Sequence, residues 1–375
     1  MWRAVCVVAI VMLATTGTVS AAAGNVVSVT IDARAASEPV TRYEYGMFIE
    51  PIGGLIARTL WAEMLDDRKF YYPIVAAGQG PPVPSSVEGR PGVVYRKWRP
   101  IGADGVQMDS RDCYVGSHCP RVVLDGGSVH GFGQSGIGVA KGKAYRGHVV
   151  LQGDPGASVA ITLIWGSGTD DRRQLALPAL SSGWQSYPLD FVSGADCADA
   201  RLEITGSGSG AFRVGTVSLM PADNIDGWRA DTTSILQKLH SGMWRLPGGN
   251  FLSNWDWHGA IGPRDRRAPM FDHAWSAMQP NDLGMDEYME LTRILGVDPY
   301  LRCLDPGRDA HCGGFECHGC GIRAVWRAFW RWDCSCEGGR RLRATATPVP
   351  GGLCSSPGPC RQPDLSSRCH CRVDS

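Results

Sequence analysis

The sequence predicts an α/β protein: the first part of an α/β barrel, into which an antiparallel β-sandwich is inserted. Three observations carry this. Two short apolar runs, one through Met243–Pro247 and one from Val297 to Leu301, alternate with helical patterns. From Pro73 to about Pro221 helical periodicity vanishes, and short alternating runs recur between Gly- and Pro-rich turns. The chain has 375 residues, enough for one barrel of roughly 250 residues plus an insertion.

The elements follow in order. Residues 1–21 carry Arg3, an apolar stretch from Ala4 to Ala14 and small residues around Val19, Ser20 and Ala21. This is the pattern of a secretory signal, too short to span the ~30 Å core of a bilayer, and it predicts a secreted or periplasmic product with no membrane contact after cleavage. Residues 25–40 hold one strand, with Val27, Val29 and Ile31 alternating with polar residues. Residues 41–72 begin the barrel: Tyr45 to Ile49 reads as a buried strand ending at Glu50. A helix is expected from Leu55 onward, with Ile56, Leu60, Trp61, Met64 and Leu65 on one face and Asp66, Asp67 and Arg68 closing it. Residues 73–221 form the sandwich, through runs such as HVVLQG, VAITLIW, YPLDF, RLEITG and FRVGTVSLM. Trp165 and Trp184 are expected in its core, with sugar stacking as the alternative. Residues 222–301 resume the barrel. Trp228, Ile235, Leu236 and Leu239 lie on one helical face that Gly242 stops, MWRLP is a strand, and Met285 to Leu295 is a helix closed by Gly296. Crossover helices make the strands parallel neighbours.

Residues 302–375 break this pattern. They contain eleven Arg, no Lys and ten of the 14 cysteines. GC-rich codons read out of frame give that composition, and the expectation is a tail without selected structure. The alternative is a zinc site drawn from His311, Cys312, Cys317, His318 and Cys320 with Cys334 and Cys336, although only Cys317 and Cys320 have the C-x2-C spacing. Earlier in the chain, Cys113 and Cys119 could close a small loop, leaving Cys197 unpaired. Lys+Arg and Asp+Glu are both 37, so the chain has no net charge and no nucleic-acid partner is expected. No metal and no cofactor are expected.

The stretch MWRLPGGNFLSNWDWHGAIGP, from Met243 to Pro263, suggests chemistry. An apolar strand ends in Pro-Gly-Gly and a Trp-rich polar loop follows. Gly allows close backbone approach, and aromatic rings beside amides and carboxylates suit a sugar, with its apolar faces and polar rims. An ordinary strand followed by core tryptophans reads equally well.

Several strings in one order resemble glycoside hydrolase family 51, the α-L-arabinofuranosidases. They are YGMFIE with WAEML-DDRKFYYP (Tyr45 to Pro73), WRLPGGNF (Trp244 to Phe251), IGPRDRR (Ile261 to Arg267) and NDLGMDEYMELTRILGVDPY (Asn281 to Tyr300). The resemblance implies a (β/α)8 barrel carrying a carbohydrate-module-like sandwich, and places the strand of residues 25–40 in a separate β-sandwich. It implies hydrolysis of terminal non-reducing α-L-arabinofuranosides in arabinose-containing polysaccharides or oligosaccharides. It implies that Glu50 hydrogen-bonds the arabinose, that Asn250 lines the same subsite, and that Trp257 lies toward the acceptor side. The family works by retention, with two glutamates at a carboxyl separation of ~5 Å, at the ends of the fourth and seventh barrel strands. The match stops after the third strand. Glu316 and Glu337 lack the family's Asn-Glu context, so no catalytic residue is assigned, and the chain is expected to be a truncated form with little activity. The alternative is a non-catalytic carbohydrate-binding protein acting through the inserted sandwich.

Overall fold

A computed structural model describes residues 38–79, 96–102, 105–253 and 255–301, and the backbone of strands at 333–336 and 369–372. The chain divides into Met1–Thr41 and Arg42–Ser375, and the sheet, its helices and the insertion all belong to the second unit. The expected signal segment, the strand of residues 25–40 and most of the tail lie outside the described residues.

The part outside the insertion is built on a parallel sheet. Strand β1 is Met47–Phe48, followed by helix α1, Leu55–Thr59. The inserted strands are β2 (Arg99–Ile101), β3 (Val106–Asp109), β4 (Cys119–Asp125), β5 (His130–Val139), β6 (Ala144–Gly153), β7 (Ala157–Ile164), β8 (Arg172–Ala176), β9 (Gln185–Val192) and β10 (Cys197–Pro221). Helix α2 (Ala230–Gln237), β11 (Met243–Leu246), the pair β12 (Met270–Asp272) and β13 (Ala277–Gln279), helix α3 (Met285–Leu295) and β14 (Asp298–Leu301) follow. The parallel order is β1-β11-β14, with Met47 opposite Trp244 and Met243 opposite Asp298. Among the described residues this sheet has three strands.

Helix α3 forms where expected. Met285, Tyr288, Leu291 and Leu295 recur at three- and four-residue spacing and bury one face against Trp244, Leu246, Phe251 and Trp255. Glu287 Oε2 accepts from the Gly284 N–H at 2.7 Å, supplying one of the bonds that the first helical turn lacks. Gly296 ends the helix at φ 69°, a left-handed cap that costs glycine little.

The first helix is shorter than its pattern. It stops at Thr59, because the chain turns from itself to other partners: the Ala62 N–H bonds Gly227 O and the Met64 N–H bonds Leu219 O. The apolar residues read as one face serve two cores. Leu60 and Trp61 join the sheet's cluster, while Leu65 joins that of the insertion. The first strand is also shorter than Tyr45–Ile49, since Arg42–Tyr45 forms a 3-10 turn that brings Arg42 and Tyr43 to Asp298 at 2.5 and 2.6 Å. Ile235 in α2 and Leu239 just beyond its end are exposed, and Trp228 lies ahead of the helix, in a turn closed on Ile225. With Trp228 outside the helix, the buried face of α2 is carried by Thr233 and Leu236.

The insertion is antiparallel and built on β10, whose 25 residues unite two of the predicted strands. Its first half pairs with β5 and β7, its second half with β4 and β6. Strands β2 and β8 extend the first ladder; β3 and β9 extend the second. Gly206, Gly208 and Gly210 look like a turn in sequence but stay paired, and Gly208 and Gly210, at φ 97° and 90°, carry the strand from one ladder to the other. One apolar cluster fills the space between, with Phe132, Ile161, Leu163, Leu202 and Ile204 from one ladder and Val122, Val149, Leu151, Phe191 and Phe212 from the other. Trp165 packs at the margin of this cluster, and Trp184 sits against Tyr114 at 5.6 Å.

Cys113 and Cys119 are both free thiols, where a loop-closing bond was one expectation. In the tail, Asp333–Cys336 (β15) and Cys369–Arg372 (β16) pair antiparallel, so the expected lack of structure does not hold for these two stretches. His311 to Cys320, the body of the zinc alternative, lie outside the described residues. No helix among the described residues is long and apolar enough to cross a membrane.

Candidate functional site

The end of β1 and the loop after β11 meet at Glu50. The parallel pairing of Phe48 with Arg245 brings the two strand ends side by side. Gly248 then passes over the Glu50 side chain at φ 115°, and a Cβ there would lie 2.6 Å from Glu50 Cβ. Only glycine fits both the conformation and the space. At Gly249 a Cβ would lie 3.1 Å from Glu50 Oε2. The Pro-Gly-Gly string therefore exists to admit the glutamate.

Glu50 is buried, and its Oε1 accepts two hydrogen bonds, from the Phe251 N–H at 2.6 Å and from Trp275 Nε1 at 3.0 Å. A buried carboxylate needs such donors. Trp275 stands on the turn between β12 and β13, which Asp272 caps: its Oδ1 accepts from the Ala274 N–H at 2.9 Å and the Trp275 N–H at 3.3 Å. Burial pushes the Asp272 carboxyl above its ordinary value, and the Glu50 charge adds to this. Gln279 Nε2 donates to Gly53 O at 3.0 Å, tying β13 to the turn that follows Glu50.

The other predicted site residues are placed differently. Asn250 is exposed at the start of a 3-10 turn, and its Oδ1 accepts from Ser253 Oγ at 3.1 Å. Its neighbour Phe251 makes the contact with Glu50. Trp257 is half-buried, stacked on His258 at 3.8 Å and packed against the sheet's apolar cluster. Trp275 and Asp272 do not stand out in the sequence. The one signal for them is the Asp-x-x-Trp spacing, which allows an Asx turn ahead of the indole.

A buried ionic network holds the loop from Ile261 to Leu283 against the rest. Arg68 donates to Asp282 through Nε at 2.7 Å and Nη2 at 2.6 Å, and to Asp265 through Nη1 at 2.8 Å. Lys69 Nζ reaches Asp282 at 2.9 Å, Arg267 O at 2.9 Å and Pro280 O at 2.6 Å. Burial pushes the Lys69 ammonium down to about 8. Burial alone would raise Asp282; the charges of Arg68 and Lys69 outweigh it and hold the carboxyl at about 2. Arg267 adds a two-pronged bond to Glu287 at 2.9 and 3.0 Å. Arg68, read as part of a helix end, and its neighbour Lys69 are thus the base on which the site loop stands. A concavity of about 900 Å³ lies apart from Glu50, between α1 and the insertion, with Arg58, Glu63, Arg96, Lys143 and Asp223 among its walls.

Residues 235–312 match the family model for the alpha-L-arabinofuranosidase 1 domain. Alpha-L-arabinofuranosidase 1 of Arabidopsis thaliana is 27% identical over 285 residues, covering 70% of this chain and 40% of that protein. Alpha-L-arabinofuranosidase C of Emericella nidulans is 37% identical over 87 residues, covering 23% of this chain and 17% of that protein. Among solved structures, arabinose-bound MgGH51 a-L-arabinofuranosidase superposes with a TM-score of 0.55 at 18% identity, over 68% of this chain and 43% of that one, a likeness of fold. The chain spans two fifths or less of the length of these curated relatives. The chain is similar to the α-L-arabinofuranosidases over part of their length, and to a GH51 arabinofuranosidase in fold.

Proposed function

We propose that this chain carries the arabinose-holding part of a retaining α-L-arabinofuranosidase that acts on terminal non-reducing arabinofuranosides of polysaccharides or oligosaccharides. The observation that carries the reading is Glu50 at the end of β1, fixed by the Phe251 N–H and Trp275 Nε1 under a glycine-only loop. A carboxylate held from behind by two donors has its remaining lone pairs set in direction, as binding a sugar hydroxyl requires. In this reading Asn250 and Trp257 turn toward the sugar's rim, the parallel strands are the first of a (β/α)8 barrel, and the insertion is a carbohydrate-module-like sandwich. Export is part of the proposal, supported by the signal-like first 21 residues.

Retention needs an acid/base and a nucleophile ~5 Å apart. The carboxyls brought together here, Glu50 and Asp272, are both engaged by N–H donors, and neither is given such a role. The polypeptide is expected to bind arabinose at Glu50, and among the described residues no carboxyl is given the acid/base or nucleophile role. Calorimetric titration of the intact chain with arabinose tests the binding. Saturable binding weakened at least ~10-fold in Glu50→Gln is expected, since a lost hydrogen bond to a charged group is worth ~1.5–3 kcal/mol. Equal binding by the two proteins refutes the assignment of Glu50.

A further inference from the structure

We propose that Cys113 and Cys119 form a disulfide by exchange with a disulfide donor, and that this bond fastens the loop joining the insertion to the Arg264–Arg266 turn. Three observations converge. Strands β3 and β4 pair with Asp109 opposite Cys119. The chain leaves β3 after Asp109 and folds back so that Cys113 Sγ donates to Asp109 O at 3.1 Å, which sets it over the residue that Cys119 faces across the ladder. Cys113 and Cys119 are both free, so each has a thiol to give to the bond. Cys197 belongs to the other ladder, opposite Val139, and does not compete.

The bond would fasten a seam. Val115 is buried, and an added Cβ at Gly215 would strike the Tyr114 side chain, so the loop is seated on β10. The Tyr114 carbonyl accepts from Arg266 Nη1 at 2.7 Å, and the Arg266 guanidinium lies 3.6 Å over the Tyr114 ring. The segment after Arg266 leads into β12 and Asp272, so the loop braces the turn that presents Trp275 to Glu50.

The chemistry balances. Cys113, the more accessible thiol, loses its proton and attacks a disulfide donor of the glutathione class, releasing one donor thiol. Cys119 then loses its proton and attacks Cys113 Sγ in the mixed disulfide, releasing the second donor thiol. Two electrons pass from the cysteines to the donor, which leaves as two thiols. Burial holds both thiols above their ordinary value, so uncatalysed exchange is slow at neutral pH and is best run near the ordinary thiol pKa of ~8.5.

The test uses the full chain. It is incubated with oxidised or reduced glutathione, quenched in acid, denatured, alkylated, cut with chymotrypsin and mapped by mass spectrometry. The oxidised sample should yield the peptides on either side of the Tyr114 cut joined as one species, lighter by two hydrogens and separated by reductant, with Cys197 alkylated in both samples. Amide exchange at Val115 and Gly116 should slow on the order of tens of fold on oxidation, as closing so short a ring removes open conformations. In Cys113→Ser both effects should vanish. Recovery of both cysteines alkylated after oxidation, either one joined to Cys197 or to a cysteine beyond residue 302, or exchange rates that do not respond, each overturns the proposal.

Discussion

Asp282→Asn removes the carboxylate that Arg68 and Lys69 both contact. In the native chain three cationic contacts of 2.6–2.9 Å converge on that carboxylate, and all three side chains are almost wholly buried. Taking one member from a buried pair costs ~3–5 kcal/mol, because the partner's charge stays behind. Two features place the cost at the lower end. Arg68 keeps Asp265 at 2.8 Å and Glu63 at 3.9 Å, and Lys69, already down at about 8, can shed its proton and keep two carbonyl partners. The expected loss is about 3 kcal/mol at pH 7, read from urea unfolding followed by tryptophan fluorescence, with the midpoint falling at unchanged slope. A second arm uses pH. The Asp282 carboxyl sits below its unfolded value of ~3.9, so its stabilisation is full above that pH and is lost as the pH falls through about 2. The native chain should lose roughly 2–3 kcal/mol over that interval through this group, and the Asn variant should lack that part of the slope. A loss below ~1 kcal/mol at pH 7, with an unchanged acid slope, would refute the claim that this network carries the site loop.

Other substitutions probe the remaining parts. Gly248→Ala forces a side chain into φ 115° and against Glu50, and should cost ~1–3 kcal/mol of stability and abolish arabinose binding, checked by thermal melting and calorimetry. Trp275→Phe keeps the ring but deletes the donor to Glu50 Oε1, and should weaken arabinose binding by ~10-fold or more while leaving the far-ultraviolet dichroism unchanged. Leu202→Ala, in the half of β10 that pairs with β5 and β7, should cost ~2–5 kcal/mol in urea unfolding, as a fully buried leucine in the insertion's core.

How much of the molecule is legible in its sequence depends on the range of the forces involved. Strands β11 and β14 and helix α3 are readable because their signals are local: a short apolar run, a three-four spacing from Met285 to Leu295, a glycine stop at Gly296. Helix α1 reads too long because Trp61, Met64 and Leu65 share a helical spacing yet belong to two cores, a tertiary choice that periodicity does not encode. The continuity of β10 is hidden by Gly206, Gly208 and Gly210, which mark turns in most contexts and here mark a crossing between ladders. The β12–β13 hairpin, with three residues per strand, is too short for alternation to register. At the site, Glu50 is legible from its strand end. Its partner Trp275 is not, since 225 residues separate them. Arg68 reads as part of a helix end, because the anion that justifies its burial lies 214 residues away.

The central claim is that Glu50, set by Phe251 and Trp275 beneath the Pro-Gly-Gly loop, is where this chain holds an arabinose unit. A crystal structure of the intact protein soaked with arabinose tests it directly. The expected result is a furanose whose hydroxyl lies within hydrogen-bonding distance of a Glu50 carboxylate oxygen. A sugar seated instead in the cleft between α1 and the insertion, with Glu50 untouched, would contradict it.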